Sequence, residues 1–286
     1  PKRGYIYDRN NNLLVSNQPS YDVMIIPGLV KELDTTEFCK LLKISKDYFD
    51  NKIERTRRYS TRIPSVFLAH LSKEDYGFLA EKIRKYDGFY IQKRNLRQYN
   101  TTIGANVLGY VAEVNRSNLE KDNYYSQGDI IGKQGVELSY EKYLRGEKGI
   151  KFIQKDRFNR DIGSFNDGLN DINSIAGNDL TITIDSELQE YGELLMSNKK
   201  GAIVAIEPSS GELLTLVSAP SYNPNLLVGR ERSKNYFELY QDSIYKPLLD
   251  KGLLSTFPAG SPFKVIVGLI ALEEEVISEK STIFCK

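Results

Sequence analysis

A glycine turn at Pro258-Ala259-Gly260 runs directly into Ser261-Pro262-Phe263-Lys264 and then into an apolar stretch, Val265 to Leu272, that stops at Glu273-Glu274-Glu275. Serine is a good helix cap and proline suits the first helical position, so the spacing predicts a helix with Ser261 at the N-cap and Pro262 inside it. Its side chains are apolar on nearly every face. A helix of that kind is expected inside a core, not on a surface. At this length it falls short of the roughly 18 to 20 apolar residues that span a bilayer.

The rest of the chain changes period as it goes. From Gly4 to Pro27 short apolar runs (Tyr5-Ile6-Tyr7, Leu13-Leu14-Val15, Val23-Met24-Ile25-Ile26) alternate with turn formers, which predicts strands and hairpins. From Asp34 to about Tyr90 the apolar positions Phe38, Leu41, Leu42, Phe78, Leu79 and Ile83 recur at helical spacing, so a small, mostly helical subdomain is expected. Residues 99–177 are rich in glycine and asparagine and read as loop-rich, with one helix from Gly135 to Leu144. A boundary near Ser174 to Asn178 precedes a strand, Leu180 to Ile184. A helix opens next at Asp185-Ser186-Glu187, with Leu188, Tyr191 and Leu195 as its apolar face. A hairpin follows: Ala202 to Ile206, the turn Glu207 to Gly211, then Glu212 to Val217. A helix beside antiparallel strands indicates an α/β (α+β) domain beginning near residue 176.

Charge and composition remove several functions. The 286 residues carry 39 Lys plus Arg against 38 Asp plus Glu, so no net field draws the chain to nucleic acid. Cys39 and Cys285 lie far apart without CxxC spacing, and His70 is the single histidine, too few soft ligands for a structural zinc site. Both cysteines read as buried small apolar residues. No phosphate-binding or dinucleotide glycine fingerprint occurs, and no G-x-S-x-G elbow pairs a serine with His70, which reads as structural or surface.

Ser-x-x-Lys is spelled four times: Ser139 to Lys142, Ser197 to Lys200, Ser243 to Lys246 and Ser261 to Lys264. Only the last joins a glycine turn to a helix start. The plain alternative for Ser261 is an ordinary capping serine. Lys264 argues for chemistry: in the first turn it meets the positive end of the helix dipole, and apolar surroundings would disfavour its charged form further. A neutral amine one turn from a hydroxyl can take its proton and make it a nucleophile.

These residues, with others, resemble the class B penicillin-binding proteins. Arg3-Gly4-Tyr5-Ile6-Tyr7-Asp8-Arg9-Asn10 is similar to that family's R-G-x-I-x-D-R-N opening, and Gly132-Lys133-Gln134-Gly135-Val136-Glu137 with Tyr140-Glu141 and Leu144-Arg145-Gly146 to its G-x-x-G-x-E, Y-E and L-R-G blocks. Leu180 to Gln189, Ala219 to Asn225 and Pro258 to Lys264 resemble the start of its transpeptidase domain, with wording nearer the elongation (cell-shape) type than the division type. The resemblance implies a β-rich pedestal over 1–175 with a small helical head at about 31–97, and the first part of a penicillin-binding domain over 176–286. It implies that Ser261 is the acyl nucleophile and the point of penicillin attachment, that Lys264 is the general base, and that the Ser261 backbone N–H contributes to the oxyanion site. The substrates implied are D-Ala-D-Ala stem peptides of peptidoglycan, with β-lactams as covalent inhibitors and no cofactor or metal.

It further implies an extracytoplasmic, periplasmic location at the inner membrane through an N-terminal anchor, which suits a chain beginning at Pro1-Lys2-Arg3 without an initiator methionine. A membrane glycosyltransferase of the elongation machinery is the implied partner, and nucleic acid is not one. The family's S-x-N and K-[ST]-G motifs should follow Ser261, and Phe284-Cys285-Lys286 comes first. A truncated transpeptidase domain, without turnover by itself and with an open sheet edge, is therefore expected. Two other readings stay open: a pedestal acting mainly as a docking and regulatory module, and a penicillin sensor or β-lactamase.

Overall fold

The computed structural model describes residues 1–71, 73–156 and 161–282. The chain divides into two compact units, Pro1–Gly252 and Leu253–Lys286. The first is built on a long strand. Strand β1 (Ile6–Tyr7) turns into β2 (Leu13–Ile25), which pairs antiparallel with it and, further along, with β3 (Ser65–Leu71) on the same side. Strand β4 (Phe89–Tyr99) covers the other side of β2 without a break, from Val15↔Tyr99 to Ile25↔Phe89. Pro19 can donate no backbone hydrogen bond. It lies between the β1 and β3 pairings, where β4 is the one strand partner of β2 among the described residues.

Helices α1 (Thr35–Leu42), α2 (Lys46–Tyr59) and α3 (Lys73–Lys82) pack with these strands to form the head. Their ends follow from local chemistry. The Asp34 carboxylate accepts the Thr36 and Glu37 N–H groups at 2.8 and 3.0 Å, and the Ser45 hydroxyl accepts Tyr48 N–H at 3.1 Å. Phe38, Phe49, Phe67 and Phe89 meet ring to ring in the core, with Leu42, Leu79 and Ile83 around them. The head thus mixes helices with β3 and parts of β2 and β4. Phe78, which shares the helical spacing, lies outside the core with the Lys82 ammonium 3.7 Å above its ring.

Short elements follow β4: α4 (Ala105–Leu108), β5 (Val111–Glu113), α5 (Arg116–Lys121), β6 (Ile130–Gly132), α6 (Gly135–Ser139) and α7 (Glu141–Leu144). The single helix expected from Gly135 to Leu144 is broken at Tyr140, whose backbone leaves helical angles. The break accompanies the burial of two carboxylates. Glu137, fully buried, accepts Arg3 Nε at 2.7 Å and Arg97 Nε at 2.6 Å, and Glu141 accepts Arg3 Nη1 at 3.1 Å, Tyr125 Oη at 2.8 Å and the Gly132 N–H at 2.8 Å. Strands β7 (Ile153–Lys155) and β8 (Asp161–Ser164) form a separate two-stranded arm.

Strand β9 (Leu180–Thr181) returns parallel to β1 and closes the five-stranded sheet. Helix α8 (Ser186–Leu195) starts where expected, with Asp185 accepting the Glu187 and Leu188 N–H groups at 3.1 Å. Its buried face differs from the one expected: Leu188, Tyr191 and Leu195 are exposed, and Gln189 and Gly192 face inward. The reason is the hairpin of β10 (Gly201–Ile206) and β11 (Leu213–Ala219). Gln189 accepts Leu216 N–H at 2.9 Å and the Thr215 hydroxyl at 2.6 Å, and donates to Leu216 O at 3.1 Å. It thereby supplies the edge of β11 with the bonds a neighbouring strand would make. Gly192 allows the close approach, since a Cβ there would sit 2.8 Å from a Val217 methyl. Helix α9 (Arg232–Gln241) and the short α10 (Lys251–Leu254) follow.

Candidate active site

Ser261 and Lys264 lie in the second unit at the start of helix α11 (Phe263–Glu273). Gly260, at φ +63°, takes the left-handed turn that a side chain would strain. The chain then coils at once: the Gly260 carbonyl accepts Phe263 N–H at 3.2 Å and the Ser261 carbonyl accepts Lys264 N–H at 3.0 Å. Pro262 is the N-cap, with helical angles and no side-chain cap, so Ser261 stands one residue outside the cap position expected for it. Proline brings this about, because its ring holds φ near the helical value and pulls it into the coil.

The expected burial of this helix is not found. Phe263, Val265, Ile266, Val267, Leu269 and Ile270 are each 49% exposed or more, and Ser261 and Lys264 are exposed as well. A helix apolar all round needs neighbours on every side, and the described residues of this unit supply none. The apolar surroundings expected for Lys264 are therefore not built here, and no hydrogen bond joins its amine to the Ser261 hydroxyl among the described residues. What the local structure brings together is the pair on one helical turn, at a helix start whose free N–H groups and dipole favour negative charge.

The other three Ser-x-x-Lys pairs are exposed and lack this setting: Ser139 ends α6, Ser197 follows α8, and Ser243 lies between α9 and α10. His70 belongs to the sheet, at φ +57° in an irregular stretch of β3, where its N–H donates to Asp22 Oδ1 at 2.9 Å. Cys39 is a buried free thiol in the head core, and Cys285 lies outside the described residues. Among the described residues no His, Cys, Asp or Glu cluster could hold a metal, and no helix is long and apolar enough to cross a membrane.

Sequence reasoning missed the parts that hold the first unit together. Arg3, Glu137 and Glu141 were visible in the blocks quoted above, but Arg97, fully buried and donating to Glu137 and to Asn17 Oδ1 at 3.0 Å, lies outside any of them. Gln189 and Gly192, three apart on one face of α8, were a signal for close helix-to-strand packing.

Comparison with known proteins places these features. The penicillin-binding protein dimerisation domain matches residues 1–182, and the penicillin-binding protein transpeptidase domain matches residues 201–286. The peptidoglycan D,D-transpeptidase MrdA of Acinetobacter baumannii is 32% identical over 285 residues, covering 97% of this chain and 41% of its own length. That of Escherichia coli is 31% identical over 302 residues, covering 99% of this chain and 46% of its own. The chain thus spans less than half the length of these relatives. Among solved structures, the complex between penicillin-binding protein PBP2 and MreC from Helicobacter pylori matches with a TM-score of 0.78 at 30% identity, over 99% of this chain and 53% of that one. The mixed α/β architecture, the motif blocks and the two domain matches agree, and the chain belongs to the penicillin-binding proteins.

Proposed function

We propose that this chain is part of an elongation-type peptidoglycan D,D-transpeptidase, with Ser261 as acyl nucleophile and Lys264 as its base. The observation that carries the reading is the placement of Ser261 at the glycine turn that starts α11, with Lys264 on the same turn, inside the segment that matches the transpeptidase domain. Lys264 takes the hydroxyl proton as Ser261 Oγ attacks the D-Ala-D-Ala carbonyl of a stem peptide. The oxyanion accepts from the Ser261 N–H, and collapse expels the terminal D-alanine, which leaves with the proton. An amine of a neighbouring stem peptide then attacks the acyl-serine, giving the cross-link and restoring the hydroxyl. A β-lactam enters by the same attack and stays on the serine.

The relatives are more than twice as long as the matched stretch. In the working protein, further chain of the transpeptidase domain covers α11 and surrounds Ser261 and Lys264. The division into a pedestal at 1–175, with a head at about 31–97, and a transpeptidase part from 176 belongs to the same reading. So does a periplasmic location with an N-terminal anchor. The pedestal has a second role as a docking surface for elongation partners, the membrane glycosyltransferase among them. In its favour, the similar PBP2 of H. pylori was solved in complex with MreC.

Fluorescent penicillin tests the chemistry on the full-length protein. Wild type should label, Ser261→Ala should not, and Lys264→Arg, which keeps its charge, should slow acylation by about 10²- to 10⁴-fold. Undiminished labelling of Lys264→Arg ends the assignment of the base.

A further inference from the structure

Helix α9 carries Arg232, Tyr236 and Tyr240 at i, i+4 and i+8, so the three share one face, while the nearby carboxylates Glu231 and Glu238 fall on other faces. Distances fix the row. The Tyr236 and Tyr240 rings are 6.0 Å apart between centroids and 15° from parallel. Tyr110, just before β5, stands 5.8 Å from Tyr236, and the Arg232 guanidinium lies 5.7 Å from the centre of the Tyr110 ring. Backbone bonds hold the base of the row: Arg232 Nε donates to Val111 O at 3.2 Å, and Lys133 N–H donates to Tyr110 O at 2.9 Å. The row climbs from Tyr110, 8% exposed, through half-buried Tyr236 to Tyr240, 70% exposed.

The charge beside this row is one-sided. Arg232 bonds the Val111 carbonyl and Lys133 Nζ bonds Asn118 Oδ1 at 2.7 Å, both neutral acceptors, and neither cation joins an ion pair among the described residues. Burial lowers the Lys133 pKa and Arg232 lowers it further, against Glu141, which Arg3 already engages. An exposed tyrosine offers a flat apolar face with a hydroxyl at its edge. A pyranose ring has the matching shape, a face of C–H bonds and a rim of hydroxyls. Two cations without a carboxylate of their own, next to such a face, suit a saccharide that carries acid groups. An acidic peptide would meet the cations and leave the open face of Tyr240 unused.

We propose that Arg232, Tyr236 and Tyr240, with Tyr110 and Lys133 behind them, bind a glycan strand of peptidoglycan. Its sugar faces lie on the tyrosines, and its muramyl or stem-peptide carboxylates turn toward the two cations. The proposal rests on the reading of the protein as a peptidoglycan transpeptidase, and it adds a hold on the polymer made by residues that take no part in acyl transfer.

Full-length protein is titrated calorimetrically with glycan strands freed of their peptides, which keep the muramyl carboxylates, and with neutral chitotetraose. The strands should bind saturably and more tightly than chitotetraose, by a margin that shrinks as salt rises. Tyr240→Phe, which keeps the ring, should bind as wild type does. Tyr240→Ala and Tyr240→Leu, at a position exposed enough to leave folding unaffected, should weaken both saccharides by about three- to tenfold. Arg232→Gln should bring the strands to the level of chitotetraose. Fluorescent penicillin is applied to the same samples, and full labelling of Tyr240→Ala beside its weakened saccharide binding is the expected result. Labelled wild type without saturable strand binding, or strand binding unchanged in Tyr240→Ala, overturns the proposal and leaves the transpeptidase reading in place. Absent labelling of wild type ends that reading and the proposal with it.

Discussion

Glu137 is fully buried and Glu141 nearly so, and each answers to Arg3. Burial by itself would raise the Glu141 pKa. The Arg3 guanidinium, the Gly132 N–H and the Tyr125 hydroxyl outweigh it and hold the carboxyl below its ordinary value of 4.5. Asp8 is held down likewise: burial opposes, and bonds from Ser186, Asn12 and Asn10 prevail. A carboxyl with a depressed folded-state pKa adds stability that is fully present above its unfolded pKa and is lost as pH falls through the folded value. As these two carboxyls take up protons, urea midpoints should therefore drop below about pH 4.5. Glu141→Gln should lower the midpoint at neutral pH and flatten that acid slope; an unchanged slope would remove Glu141 from the account. Replacing either partner of such a buried network leaves a charge without its counterpart, the costly case for ion pairs away from water.

At the level of elements, α8 and β11 show how a polar side chain can decide a packing face. Three apolar residues at helical spacing predicted the wrong side of α8, because spacing counts side chains and takes no account of open backbone bonds. The edge of β11 needs partners, and Gln189 satisfies a donor and an acceptor of Leu216 together with the Thr215 hydroxyl. Gln189→Leu keeps the volume and removes the amide, stranding those groups in the interior. Thermal or urea unfolding should show a loss of about 2–4 kcal/mol, from more than one buried group left unmade. A neutral result would mean that water replaces the amide. The hairpin was legible because its turn residues are specific: Gly211 takes φ +78° and donates its N–H to Glu207 O, and Glu207 N–H donates to Glu212 O.

For the molecule as a whole, the two units differ in how their apolar surface is spent. The first encloses three apolar clusters, around Phe38, around Leu144 and around Tyr222. The second leaves α11 exposed along its length. Amides opened by local fluctuation exchange fastest where few contacts hold them. In hydrogen exchange on the 286-residue chain, α11 should exchange well before β2 and β4. In the full-length protein α11 should become protected, and equal exchange in both forms would count against the proposed covering of this helix.

The opening strands, the capped start of α8, the hairpin and the pairing of Ser261 with Lys264 on one turn were determined by the sequence alone. Each depends on residues within a few positions of one another, where backbone sterics and local hydrogen bonds decide. Tertiary structure alone decided that Arg97 joins Arg3 around Glu137 and that α8 turns its polar face inward. Those outcomes bring together groups far apart in the chain, and the free energy that selects them is the cost of leaving a buried charge or backbone bond without a partner.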